Sequence, residues 1–473
     1  MKTITLGEWL PDQPPIAGAL VEAKNVIPNQ IGYAPLPSVS AISNDAADTL
    51  NGVFGGRFGT TTKVFATSST KVFQYSSSNL NLTNVSRSGN YSASPTGRWS
   101  FAQFGKVVLA ANGVEPLQGF TLDSSSTFLN VASAAPTASF VSVVRDFVVC
   151  GKIPSNPNRV LWSDINDETD WISGGASQSD FQDIPDGGNV NGITGGEFGL
   201  IFLEKSINRM TYAGAPLYFQ FDTISRGLGC LEPRSIAQYG SLSFFLSDDG
   251  FYYCDGQKIV PIGAEKIDRF FFNDAELALL NTMSCAVDPV RRCVFWLYTN
   301  NSSVQSVLIY NFQVQRWSRG ETTADFIAGV ETEGITLESL DNYSGSLDEL
   351  GISLDDRFWL ANNTLLAGVE GTKIVAFSGA NAKAEIITGD LTNKNSIITL
   401  AKPQVDNGTA SVAVASRDRL DSAISFGDAS EADSENRCSL RSHGRYHRLK
   451  ILPSGNYTSA VSVEIDIKPR GNR

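Results

Sequence analysis

Histidine is nearly absent: His443 and His447 are the only two in 473 residues. Most serine hydrolases need a histidine base beside the nucleophile, and no Gly-x-Ser-x-Gly elbow is present either. The two histidines have a spacing that suits zinc ligands on a helix, but no Glu or Cys accompanies them. On a strand, residues 443, 445 and 447 share one face, so a basic interface made by His443, Arg445 and His447 is the preferred reading. Phosphate-binding loops and dinucleotide fingerprints are also missing. The expectation is therefore no catalytic residue, no metal, no cofactor and no enzyme.

Long apolar runs are missing too. No stretch approaches the roughly 18 residues of a membrane span. The N-terminal MKTITLGEWLPDQPP lacks the apolar centre of a signal peptide, so a chain that folds in the cytoplasm without a membrane anchor is expected. The six cysteines (Cys150, Cys230, Cys254, Cys285, Cys293 and Cys438) show no Cys-x-x-Cys spacing and read as small, reduced packing groups. Helix-favouring segments are scarce. The one that stands out is Asn273 to Leu280, with Asn273 or Asp274 as its cap.

Positive charge is in deficit. The net charge is −12, the wrong sign for gripping nucleic acid by its phosphates. The imbalance is uneven: Glu321 to Asp356 holds ten acidic residues and no Lys or Arg, whereas Arg437 to the end holds eight basic residues against Glu464 and Asp466. Such polarity points to faces with different neighbours.

What the chain has is turns and short apolar runs. Phe58-Gly59 precedes Val64-Phe65-Ala66 and Val72-Phe73; Phe104-Gly105 precedes Val107 to Ala110; Arg145-Asp146 precedes Phe147 to Cys150 and Val160-Leu161-Trp162. Phe198-Gly199, Tyr239-Gly240 and Val290-Arg291 each introduce further pairs. The turns recur roughly every forty to fifty residues, the length of a four-stranded propeller blade. The paired runs are then the two middle strands of each blade. Stacked radially, such sheets bury both apolar faces. A set of β-sandwich domains is the competing reading, and the steady period favours the propeller.

The fold expected is all-β: a β-propeller of about six to eight blades with a C-terminal β-sandwich-like platform. Residues 46–330 carry the blades and 358–379 the last propeller strands. Between them, 331–357 form an acidic insertion in which Ser-Leu-Asp recurs at 339–341, 346–348 and 353–355. Residues 380–473 form the platform, which the N-terminal segment 1–45 joins. Asp341, Asp348, Asp355 and Asp356 are candidates to face a lumen or tip opening, a solvated outer loop being the plain alternative. Arg445, His447 and Arg448 are candidates for an assembly interface.

Several stretches taken together carry a resemblance. They are Arg159 to Asp164 with Trp171, Ile207 to Gly214, Asp249-Gly250-Phe251-Tyr252 with Asp255-Gly256, the triple Ser-Leu-Asp run ending in Arg357-Phe358-Trp359, and Gly444 to Arg448. The set, in this order over roughly residues 140 to 470, resembles the tail nozzle or packaged-DNA-stabilisation proteins of short-tailed bacteriophages. The resemblance implies a structural virion protein of the tail, assembled in the host cytoplasm as a ring of six copies below the head-to-tail adaptor. Such a ring would retain packaged double-stranded DNA, conduct it at ejection without sequence-specific binding, and hold fibre, spike or needle proteins. It brings no catalytic residues. A lumen of negative charge would repel phosphate and let duplex slide.

The rival is a carbohydrate-binding or glycan-cleaving propeller that recognises a host receptor. Ser163 to Trp171 faintly resembles the aspartate box of sialidases, but it occurs once and lacks the central Gly. The separation of paired carboxylates that glycoside cleavage demands is not readable from sequence.

Overall fold

The computed structural model describes residues 1–15, 18–94, 97–334, 359–360 and 363–469, without the side chains at 393 and 394. Its architecture is all-β, as the turn period implied. Gly52–Phe58, Thr61–Thr67, Val72–Tyr75 and Leu82–Asn84 form an antiparallel four-stranded sheet, the first blade. Four more sheets of the same order follow at 100–130, 140–183, 190–226 and 237–261. The sixth blade takes three strands from 326–376 and its outermost strand, Ser40–Ala41, from the N-terminal segment. That one long-range strand closes the ring.

Between the fifth and sixth blades stands another four-stranded meander, 284–321. Its first strand touches the first strands of both neighbours, as first strands do at most seams of the ring. These first strands therefore face the axis. The parallel bridge between Val144 and Gly196 shows that adjacent ones run in the same direction. All turns that follow a first strand consequently lie at one end of the ring. Three are two-residue turns opened by Gly59, Gly105 and Gly240 at φ of 60, 55 and 59°. This left-handed first position matches a II′ hairpin, which glycine enters without steric cost.

The last strand of the meander, Arg316–Glu321, pairs in parallel with Leu20–Lys24, which pairs in turn with Glu385–Thr388. The platform is thus an extension of a propeller sheet. Its long strands are Leu391–Asp406, Cys438–Ser454 and Ser459–Pro469. One apolar core joins Phe251, Trp296 and Trp317 of the propeller to Trp9, Ile386, Val412, Leu449 and Val463 of the platform. Arg319 binds Glu22 through two hydrogen bonds of 2.8 and 2.6 Å across the seam. Burying this continuous apolar surface ties the two lobes into one body.

The expected helix at Asn273 to Leu280 is corrected. The α-helix is Asp268–Asp274, and a 3₁₀ turn, Leu277–Thr282, follows it. Asn273 lies at the helix end and is not a cap. The helix start is capped from afar: Asp12 accepts hydrogen bonds from the amides of Arg269 and Phe270 at 2.8 and 2.7 Å. Ala275 turns extended and bridges Asn300, which splits the helical run.

Candidate functional site

At the end of the ring where first strands begin, two arginines cross the axis. Arg98 donates to the carbonyls of Asn51 (2.8 Å), Thr282 (3.2 Å) and Asp325 (3.1 Å), each at the entry to a different ring unit. Arg234 donates to the carbonyls of Trp99 (3.2 Å) and Arg98, and its guanidinium lies over the Phe140 ring at 5.6 Å. Burial lowers both guanidiniums to about 10, so both stay charged at neutral pH. Six of the seven ring units meet at this pair. The axis is therefore bridged at this end by side chains.

The opposite end is held by amide clasps. Gln103 accepts from the Arg57 amide at 2.9 Å and donates back to the Arg57 carbonyl and to Gly105 O. Gln238 repeats this with the amide and carbonyl of Gly195 and with Gly240 O. Each glutamine imitates a backbone unit and stitches its blade to the one before it. At this same end the chain leaves the first strand of the sixth blade at Glu331 and returns at Thr364. The candidates Asp341, Asp348, Asp355 and Asp356 lie outside the described residues.

The C-terminal candidates separate. Cys438–Ser454 alternates in exposure as far as Arg445, with Ser439, Arg441, His443 and Arg445 facing out. Its pairing with Leu391–Asp406 then shifts register between Thr392 and Ser396, and the buried parity moves to His447, Leu449 and Ile451. The extra residues lie on Leu391–Asp406, so what changes along Cys438–Ser454 is which face is covered. The exposed basic interface expected of His443, Arg445 and His447 is therefore corrected at His447, which is 0% exposed. Its Nε2 lies 2.9 Å from Ser396 Oγ and its Nδ1 2.6 Å from Ser416 Oγ, which fastens two strands at a corner. Burial lowers its pKa and favours the neutral ring.

Arg448 is spent internally. With Arg417 it grips the Asp390 carboxylate, at 3.1 and 2.6 Å, and all three are nearly buried. Of the three candidates only Arg445 reaches solvent, and the sequence reading missed Arg441, which stands on the same outer stripe. The alternation C-S-L-R-S-H-G-R carried that signal.

In the stretch resembling an aspartate box, the carboxylates serve turns. Asp164 accepts from the Gln178 amide at 2.7 Å, Asp167 from Thr169, and Asp170 from the Ile172 amide, while the Trp171 indole donates to Glu168 O. Among the described residues, no group of three His, Cys, Asp or Glu side chains could hold a metal. All six cysteines are free, and none but Cys285 is other than fully buried.

No family model and no curated protein matches the chain. Similar solved structures include a chain of the mitotic checkpoint complex, at 9% identity over 74% of this chain and 93% of that one, with a TM-score of 0.38. The Pan2 WD40 domain of Neurospora crassa is similar at 7% identity over 64% and 90%, with a TM-score of 0.37. YCF48 bound to D1 peptide is similar at 7% identity over 60% and 86%, with a TM-score of 0.38. Likeness at this level concerns fold alone.

Proposed function

We propose that the chain is a structural virion protein of a bacteriophage tail nozzle, a subunit of a ring below portal and adaptor that retains packaged DNA and conducts it during ejection. The support from sequence is the ordered motif series over residues 140 to 470. The support from geometry is the Arg98–Arg234 bridge in a propeller fused to a platform by one core. A rigid block with a bridged axis suits a wall element, with the conduit enclosed between copies. The acidic connection leaves from the end of an axial first strand, and the chain's net charge of −12 would keep duplex from adhering.

Assembly tests this reading. Arg441 and Arg445 are the outward basic pair on the platform, whereas replacing Arg448 would strip Asp390 of a partner. The wild-type chain is expected to form a closed oligomer by analytical ultracentrifugation, and Arg441→Glu/Arg445→Glu to remain monomeric with its melting temperature unchanged. A variant that assembles like wild type removes this stripe from the interface. A wild type that stays monomeric at all concentrations removes the nozzle reading.

A further inference from the structure

Two motifs from different blades converge on one groove. Arg209, Thr211 and Tyr212 come from the third strand of the fourth blade; Asp255, Gly256 and Gln257 come from the last turn of the fifth. Arg209 Nη1 donates to Gly256 O at 3.2 Å and Nη2 lies 3.3 Å from Asp222, so the blades meet across the arginine. Arg145 and Glu197, from the two preceding first-strand turns, close the groove on the axial side. The space is about 380 Å³, inside the roughly 300–1,000 Å³ range of small-ligand sites.

We propose that this groove binds a short neutral saccharide. Its lining alternates hydrogen-bonding types: guanidiniums of Arg145 and Arg209, carboxylates of Glu197, Asp222 and Asp255, and amides of Gln220 and Gln257. Vicinal hydroxyls, which both donate and accept, match such a set, and the aromatic edges of Phe198 and Tyr212 offer an apolar wall for a sugar ring. Three carboxylates against two arginines select against phosphates and acidic sugars. At the rim, Gln257 is exposed without a side-chain hydrogen bond, and Glu197 is 82% exposed with one loose ion pair of 3.6 Å to Arg145. Both are free to meet a ligand. The inference goes beyond the nozzle reading and is tested apart from it, since the assembly test changes Arg441 and Arg445 and leaves this groove intact.

The experiment is a glycan array of di- to tetrasaccharides, comprising hexoses, 6-deoxyhexoses, N-acetylhexosamines and sialylated forms, probed with the full chain and followed by titration of the best neutral hit. Retention of a neutral saccharide and rejection of its sialylated form are expected. Glu197→Gln and Gln257→Ala should each weaken binding by about tenfold, the loss of one ligand hydrogen bond. Gln257 is exposed at the rim, so the melting temperature of Gln257→Ala should not fall, which separates lost binding from lost fold. No retained glycan at millimolar concentration overturns the proposal, and so does unchanged binding in either variant.

Discussion

Gln103 and Gln238 make the same three-part clasp in two separate seams of the ring, each two residues before the glycine that opens its hairpin. The blades differ in sequence, yet two of them meet one problem at this station in the same way. The edge of a first strand facing the axis has unpaired backbone groups, and a primary amide can satisfy a donor and an acceptor together.

Replacing either glutamine by Ala should therefore cost about 1–2 kcal/mol, the net worth of the hydrogen bonds lost at a half-exposed site. The two seams share no partner, so the double variant should cost the sum to within about 0.5 kcal/mol. Urea unfolding of the two single variants and the double variant checks this. A Glu at either position should be worse than Ala, because it sets a carboxylate against two carbonyl oxygens.

The bridge across the axis predicts a larger effect. Arg98→Met keeps the length of the side chain but strands the carbonyls of Asn51, Thr282 and Asp325. A loss of about 3 kcal/mol is expected, and Arg98→Lys should recover little because an ammonium cannot reach three divergent acceptors. Thermal denaturation of the three proteins gives the order wild type, Lys, Met. Equal stability of Met and wild type would mean that the arginine bridges nothing.

Much of this fold is readable from the sequence, and the reason is specific. Val64-Phe65-Ala66, Leu200-Ile201-Phe202 and Val307-Leu308-Ile309 are middle strands covered on both faces, so they appear as unbroken apolar runs. The first strands escape notice because neighbouring blades approach too closely for side chains. A Cβ on Gly55 would lie 2.7 Å from the Glu331 amide, and one on Gly195 would lie 2.0 Å from Val143 O. Glycine at these stations erases the strand signal while making the packing feasible. Arg98 and Arg234 are lone arginines in ordinary sequence, and only the ring brings them together. His447 was expected at an exposed interface because a two-residue alternation does not show where along a strand the covered face changes.

Two buried groups give opposite pH dependences. Asp268 sits where Gly250 and Gly263 leave no room for a Cβ. Burial raises its pKa from 3.8 to about 7, with Asp12 and Asp249 adding to the rise. A carboxyl raised in the folded state favours folding when protonated, so its contribution is full below about pH 4 and disappears as pH climbs through 7. Asp268→Asn can still accept the Phe251 amide hydrogen bond. It should stabilise the protein at pH 8, on the order of 2 kcal/mol, and flatten the loss of stability between pH 4 and 7. Denaturant midpoints across that range test this.

His447 acts the other way. Its folded pKa is lowered by burial, so its contribution is present above the ordinary histidine value near 6.5 and is lost as pH falls through the lower folded value. His447→Ala leaves Ser396 and Ser416 without their shared partner and opens a cavity. It should cost about 2–4 kcal/mol at pH 8 and less at pH 5, where the native ring is already penalised. A cost that does not change with pH would mean the imidazole is not held neutral.

Electron cryomicroscopy of the assembled full-length protein tests the central claim most directly. Closed rings are expected in which a hole wide enough for duplex DNA runs between subunits, while density for Arg98 and Arg234 bridges each subunit's own axis. Isolated subunits at every concentration, or an open passage through the propeller itself, would contradict it.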